Sequence, residues 1–278
     1  MNQKNNLFLF SIDLEDVRMR IPSGEKYRER VPQMTEKYLQ FLSTIKSKAT
    51  FFIVGEVAEK YPSLIKMISD EGHEIACHSC KHITLDKQTK EEFKDDLQKN
   101  LDALYTAGAK EIIGYRAPTF SLTEKTKWAY EILSEMNFQY SSSVLPAKNP
   151  LYGWENFGNE IKKINNSVWE IPVSLSQSNF LKVPFGGGVY FRVLPYFWIK
   201  KQFKKYFSEG KPVLSYFHPY DIDSEQEHFM HPGINENKIF NFLMYYNRSS
   251  VFEKLEKLSS LNFTIVPYRN YLQQISTA

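Results

Sequence analysis

Short apolar runs alternate along the chain with stretches of helical periodicity, and this rhythm predicts strands and helices in turn. Leu7 to Ile12 is an apolar run that stops abruptly at three acids, Asp13, Glu15 and Asp16, as a buried strand does when its carboxyl end meets solvent. Ala49 to Gly55 reads as a second strand, a helix follows through Ser63 to Ile68, and His73 to Cys77 reads as a third strand. Lys90 to Gly108 carries Phe93, Leu97, Leu101 and Leu104 at helical spacing, which places them on one face. Ile112 to Arg116 is a short strand ended by Pro118, and a helix runs through Trp128 to Leu133. Tyr140 to Val144, Val168 to Val173 and Pro212 to His218 continue the strands, and Phe263 to Val266 closes the sheet.

Strands alternating with helices predict a parallel sheet, and the number of repeats suits closure into a barrel. In such a barrel the carboxyl ends of the strands share one face, so residues far apart in sequence can meet there. Four strand ends carry polar groups: the acids at 13, 15 and 16; His78 with His82; Arg116; and His218. Two histidines four apart lie on one side of a helical turn and can grip one divalent ion, with a carboxylate from the first strand as a third ligand and a position left open. Each element alone has a plainer explanation, since acids solvate loops, Arg116 can pair with any carboxylate and His218 can be a satisfied core residue. Their joint placement at strand ends is what points to a site. Cys77 and Cys80 form a C-x-x-C pair, but on a helical turn they face away from His78 and His82, and no second pair completes a structural metal site; they read as packing residues.

Composition narrows the picture. Lys+Arg total 35 against 32 Asp+Glu, a net charge of +3 that is too balanced to suggest nucleic acid as a partner. The first apolar run is too short for a signal-peptide core, and no stretch approaches the roughly 20 apolar residues of a transmembrane helix, so the expected location is cytoplasmic. No linker or low-complexity segment divides the 278 residues, and a single domain is expected over 1–278.

The motifs resemble the polysaccharide deacetylases of the NodB-homology type, carbohydrate esterase family four. His78-Ser79-Cys80-Lys81-His82 matches that family's H-[ST]-x-x-H, and Arg116-Ala117-Pro118 its R-x-P. Ser11-Ile12-Asp13-Leu14-Glu15-Asp16 stands as a variant of its acidic T-F-D-D, and Tyr216-Phe217-His218 as a degenerate L-x-H. The segments at 184–192 and 216–221 resemble a cytoplasmic branch tied to exopolysaccharide and surface-glycan synthesis. The resemblance implies a distorted (β/α)7 barrel, with the motifs in 7–221 and a C-terminal extension over 222–278.

It further implies a metal-dependent N-deacetylase acting on an amino sugar of a glycan precursor, nucleotide-linked or lipid-linked. Asp13 would be the base, Arg116 its paired cation and His218 the acid. His78 and His82 would hold a divalent metal, zinc by preference, with Asp16 or Glu15 as third ligand, and the Thr119 backbone N–H would face the oxyanion. The family's D-x-x-x-W motif, whose aspartate orients the histidine, has no clear equivalent; Tyr140 to Ser143 occupies its region. Gly186 to Gly188 reads as a flexible wall, Trp154, Tyr190 and Arg192 as candidate sugar contacts, and 224–248, with His228 and His231, as a lid or subunit contact. The competing functions are a metal-free, allantoinase-like C–N hydrolase and a glycan-binding module without turnover.

Overall fold

A computed structural model describes residues 6–149, 152–177, 182–234 and 236–276. Its strands are β1 (Leu7–Leu9), β2 (Ser11–Leu14), β3 (Thr50–Ile53), β4 (Glu74–Cys77), β5 (Gly114–Tyr115), β6 (Tyr140–Ser141), β7 (Lys162–Ile164), β8 (Val168–Glu170), β9 (Val213–Leu214) and β10 (Thr264–Val266). Its helices are α1 (Val31–Thr44), α2 (Gly55–Lys60), α3 (Pro62–Asp70), α4 (Lys90–Thr106), α5 (Ala129–Glu135), α6 (Gly188–Val193), α7 (Tyr196–Ser208), α8 (Lys238–Tyr245), α9 (Ser250–Leu258) and α10 (Tyr268–Ser276).

Strands β2, β3, β4, β5, β6 and β8 pair in that order, all parallel, and β7 adds an antiparallel edge to β8. The first apolar run is one bent strand. Its first half, β1, pairs with β10 and β9, while its second half, β2, turns to β3. On the other edge the chain beyond β9 stays alongside, with Phe217 N donating to Ser11 O and Asp13 N to Phe217 O. This pairing brings His218 next to Asp13. Between the β8 and β9 segments the contact includes a side chain, Leu214 N donating to Ser174 Oγ at 3.0 Å. The result is the distorted parallel barrel that the sequence rhythm predicts.

The strands are buried on both faces, as parallel strands under helices must be: Phe8, Phe10, Ile12 and Leu14 on one side and Leu9 and Ser11 on the other are all fully covered. Helix α4 begins at a capping box, Thr89 accepting from Glu92 N while the Glu92 side chain accepts from Thr89 N, and its apolar stripe seats Phe93, Leu97 and Leu104 in the core. Two polar anchors tie the barrel's strand ends together. Glu170 is fully buried and accepts from Ser143 N, Val144 N and Tyr130 Oη. Glu74 accepts from Thr50, Tyr140 and Arg269 N at the other end. Burial raises the pKa of both carboxyls, and these donors hold it back.

The glycine run at 186–188 is a close-packing element rather than a flexible wall. A Cβ on Gly187 would lie 2.5 Å from Tyr216 N, and one on Gly188, whose φ is +59°, would strike the Tyr216 ring. The glycines let this segment lie directly on the chain that leads to His218. No helix among the described residues is long and apolar enough to cross a membrane.

Candidate active site

The carboxyl ends of the strands open onto a cavity of about 280 Å³ lined, among others, by Asp13, Glu15, Arg20, His78, His82, Thr119, Tyr190 and His218. Every residue predicted to hold the metal or do the chemistry lies at or directly behind this cavity except Asp16. Asp16 turns the other way and ties its carboxylate to Arg18, at 3.0 Å from Nε and 2.5 Å from Nη2, while capping the short 3-10 turn Val17–Arg20. Glu15 takes the place beside the histidines: one oxygen or nitrogen from each of Glu15, His78 and His82 lies within 4.8 Å of the others.

The two histidines do not reach each other along a helical turn. They leave β4 on an irregular loop in which Ser79 and His82 have φ of 67° and 55°, and the imidazole centroids end 4.9 Å apart, edge to face. Left-handed backbone at two non-glycine residues costs of order 1–3 kcal/mol each and is the kind of strain found where a site is built. The loop is pinned from below by Asp96, which accepts from Cys80 N, and by Asn100, which donates to Ser79 O. Cys77 and Cys80 are buried packing residues, with burial pushing the Cys80 thiol up to about 11.

These three groups suit a divalent metal. His78 Nδ1 lies 2.8 Å from Arg116 O, so it donates there and keeps its Nε2 lone pair for the cavity. Burial drives the His78 pKa down to about 4, which keeps the ring neutral as a ligand must be. Glu15 is buried too. Burial alone would raise its carboxyl, but Arg20 and His82 outweigh that and hold it well below the usual range. Its Oε2 lies 2.7 Å from Arg20 Nη2 and 2.8 Å from His82 Nε2 yet has no partner in hydrogen-bond geometry, an orphaned oxygen of the sort an ion satisfies.

Asp13 and His218 flank the trio. Arg116, 1% exposed, spends all five N–H donors here: Nη1 on Asp13 Oδ1 (2.5 Å) and Ser11 Oγ, Nε on Ser142 O, and Nη2 on Ser142 Oγ and Tyr268 Oη. Its guanidinium also lies 3.9 Å over the Phe52 ring. Ser142, just after β6, therefore serves Arg116, not the histidine. His218 Nε2 points into the cavity, 4.0 Å from Asp13 Oδ2 and 3.8 Å from Glu15 Oε1.

The orienting acid of His218 is Asp221. Its Oδ2 is 2.9 Å from both His218 Nδ1 and the His218 backbone N, and its Oδ1 accepts from Arg192 Nε at 2.9 Å. Arg192, one of the candidate sugar contacts, has a structural role and is fully buried behind this pair. The signal for Asp221 was present as an acid three residues after the histidine, with Pro219 setting the turn between them. Burial disfavours charged His218, but Asp221, with Glu15 and Asp13, overrides it and lifts the pKa above the ordinary imidazole value. A step that needs protonated His218 therefore loses rate as pH rises through that raised value. Asp221→Asn removes the strongest raising influence, so the alkaline limb of kcat against pH should move to lower pH, with kcat at pH 8 falling at least about tenfold. An unmoved limb would separate Asp221 from the titration of His218.

Among the other candidates, Tyr190 and His231 line the cavity, while His228 stacks on Tyr245 at 4.1 Å. Trp154 packs on Phe157 and lines an adjoining cavity, which shares Tyr152 and Asn149 with the first.

Residues 23–140 match the polysaccharide deacetylase family, and residues 142–271 match a domain of unknown function, DUF3473. A peptidoglycan-N-acetylglucosamine deacetylase of Bacillus cereus is 36% identical over 106 residues, covering 36% of this chain and 36% of that protein. The chain matches about a third of the length of such curated relatives. Among solved structures, a Mycobacterium smegmatis protein assigned to the polysaccharide deacetylases superposes with a TM-score of 0.63 at 16% identity, covering 100% of this chain and 92% of that one. PuuE allantoinase superposes with 0.60 at 14% identity, over 98% and 91%. These two share the fold. The family matched over residues 23–140 is the polysaccharide deacetylase family that the sequence motifs resemble. The segment matched to the domain of unknown function supplies β8, β9, β10, His218 and Asp221 to the same barrel.

Proposed function

We propose that this protein is a metal-dependent hydrolase that removes the N-acetyl group from an amino sugar of a bacterial surface-glycan or exopolysaccharide precursor, with the whole chain working as one domain. The observation that carries this reading is the convergence, in one cavity, of a two-histidine, one-carboxylate trio with an arginine-paired aspartate and an aspartate-oriented histidine. A divalent ion held by Glu15, His78 and His82, zinc by its donor set, supplies Lewis-acid chemistry toward an amide carbonyl and makes a nearby water more acidic.

The chain's own residues do the rest. Asp13, fixed by Arg116, takes the proton of the water that attacks the carbonyl carbon. His218 Nε2, on the same cavity wall, gives a proton to the departing nitrogen as the C–N bond breaks, and acetate and the free amine leave. Thr119, with φ of 56°, lines the cavity where its backbone N–H can face the developing oxyanion. Tyr190, Tyr216 and Tyr220 offer aromatic faces to a sugar. The pairing of Asp13 with His218 favours turnover over a binding role, because a binder has no use for a proton acceptor and a proton donor 4.0 Å apart.

The test is metal content by mass spectrometry, together with amine release from N-acetylglucosamine oligomers and nucleotide-linked N-acetyl sugars. Wild-type protein should carry about one ion per chain, and His78→Ala/His82→Ala should lose both the ion and amine release. Wild-type protein that takes up no zinc when it is offered would overturn the metal-dependent reading.

A further inference from the structure

Among the described residues lining the cavity Arg20 is the one arginine or lysine, and it stands on the metal trio itself. It reaches there from the 3-10 turn that Asp16 caps, with its side chain one-quarter exposed. Nη2 lies 2.7 Å from Glu15 Oε2, and Nη1 is in close contact with His82 Nδ1. Its Nε is buried without a partner.

A guanidinium has five donors, a positive charge and no lone pair, and here it lies against both Glu15 Oε2 and the His82 ring, with Nη1 also 3.3 Å from His82 Nε2. A divalent ion held by the same carboxylate and ring meets that charge at close range, so loading the trio favours Arg20 turned away from it and toward the open cavity. The charges point the same way. Before loading, each carboxylate of the site already has its arginine: Asp13 with Arg116, Asp221 with Arg192, and Glu15 with Arg20. A divalent ion then adds two positive charges to a site whose carboxylates are already paired, where like charges repel and an anion is drawn in.

We propose that Arg20 is the specificity-determining residue of this site: it competes with the metal for Glu15 and His82, and once displaced it binds an anionic substituent, carboxylate or phosphate, on the amino-sugar substrate. The proposal rests on the metal trio named above and adds the class of substrate. A planar guanidinium with its Nε and one edge free matches either anion bidentately.

Arg20→Gln tests both halves. Zinc affinity, measured by chelator competition, should tighten at least about tenfold in the variant, because the competing cation is gone. Zinc-loaded wild-type protein should bind N-acetylmuramic acid or N-acetylglucosamine 1-phosphate at least about fivefold more tightly than neutral N-acetylglucosamine by titration calorimetry, and the variant should lose that preference. The anion whose preference disappears identifies the substituent, carboxylate or phosphate. Unchanged or weaker zinc affinity in the variant, or an anion preference that survives the substitution, overturns the proposal. Tightened zinc binding and lost anion preference without amine release from any of these sugars would support the role of Arg20 while counting against the deacetylase reading, so the two fail separately.

Discussion

Asp13→Asn should lower kcat by about 10²–10⁴-fold while zinc content stays close to wild type. The amide fills the same space and can still accept from Arg116 Nη1, so the wall that Arg116 builds with Ser11, Ser142 and Tyr268 stays in place. What the amide cannot do is take a proton. Asp13 is not one of the trio, whose carboxylate is Glu15, so metal binding should persist. KM should move little beside kcat, since the lost interaction is one made as the proton transfers. Single-turnover amine release at fixed zinc loading checks this. A loss below tenfold would take the base role from Asp13, and the other carboxylate near His218, Glu15 at 3.8 Å, would become the candidate.

The parallel barrel was legible because strands buried on both faces are nearly unbroken apolar runs, and these are separated by stretches with a 3.6-residue stripe. The bend between β1 and β2 was not. Phe10 is as apolar as its neighbours, and the break becomes visible only when the strand exchanges β10 for β3 on one edge while the chain beyond β9 stays on the other. The partners of β1, in β9 and β10, lie more than 200 residues away, and no local pattern reports them.

At the site, residue types were legible and their directions less so. The choice between Glu15 and Asp16 was open to a period-two argument. Side chains alternate along a strand, so Glu15 falls on the side of Asp13, Leu14 enters the core, and Asp16 points away toward Arg18. The helical reading of His78 and His82 missed because spacing alone does not separate a helical turn from a strained loop that converges its side chains equally well. Arg192 and Asp221 are 29 residues apart, and only the packing of α6 against the turn after β9 joins them.

Arg116→Met should be the most destabilising single change at the site, costing about 3–5 kcal/mol in urea unfolding, a large fraction of the 5–15 kcal/mol that holds a typical domain together. Methionine fills much of the volume, so the loss is not one of packing. It leaves the Asp13 carboxylate buried without its cation and leaves Ser11, Ser142 and Tyr268 without the donors they accept from. Arg116→Lys should not rescue it, since one ammonium cannot replace a five-donor fork lying flat on Phe52. A double-mutant cycle separates charge from scaffold. If the stranded carboxylate is the main cost, Asp13→Asn in the Arg116→Met background should restore a good part of the stability, and the two changes together should cost less than their sum. Simple additivity would mean instead that Arg116 stabilises the fold through the serines and Tyr268, with Asp13 merely placed beside it.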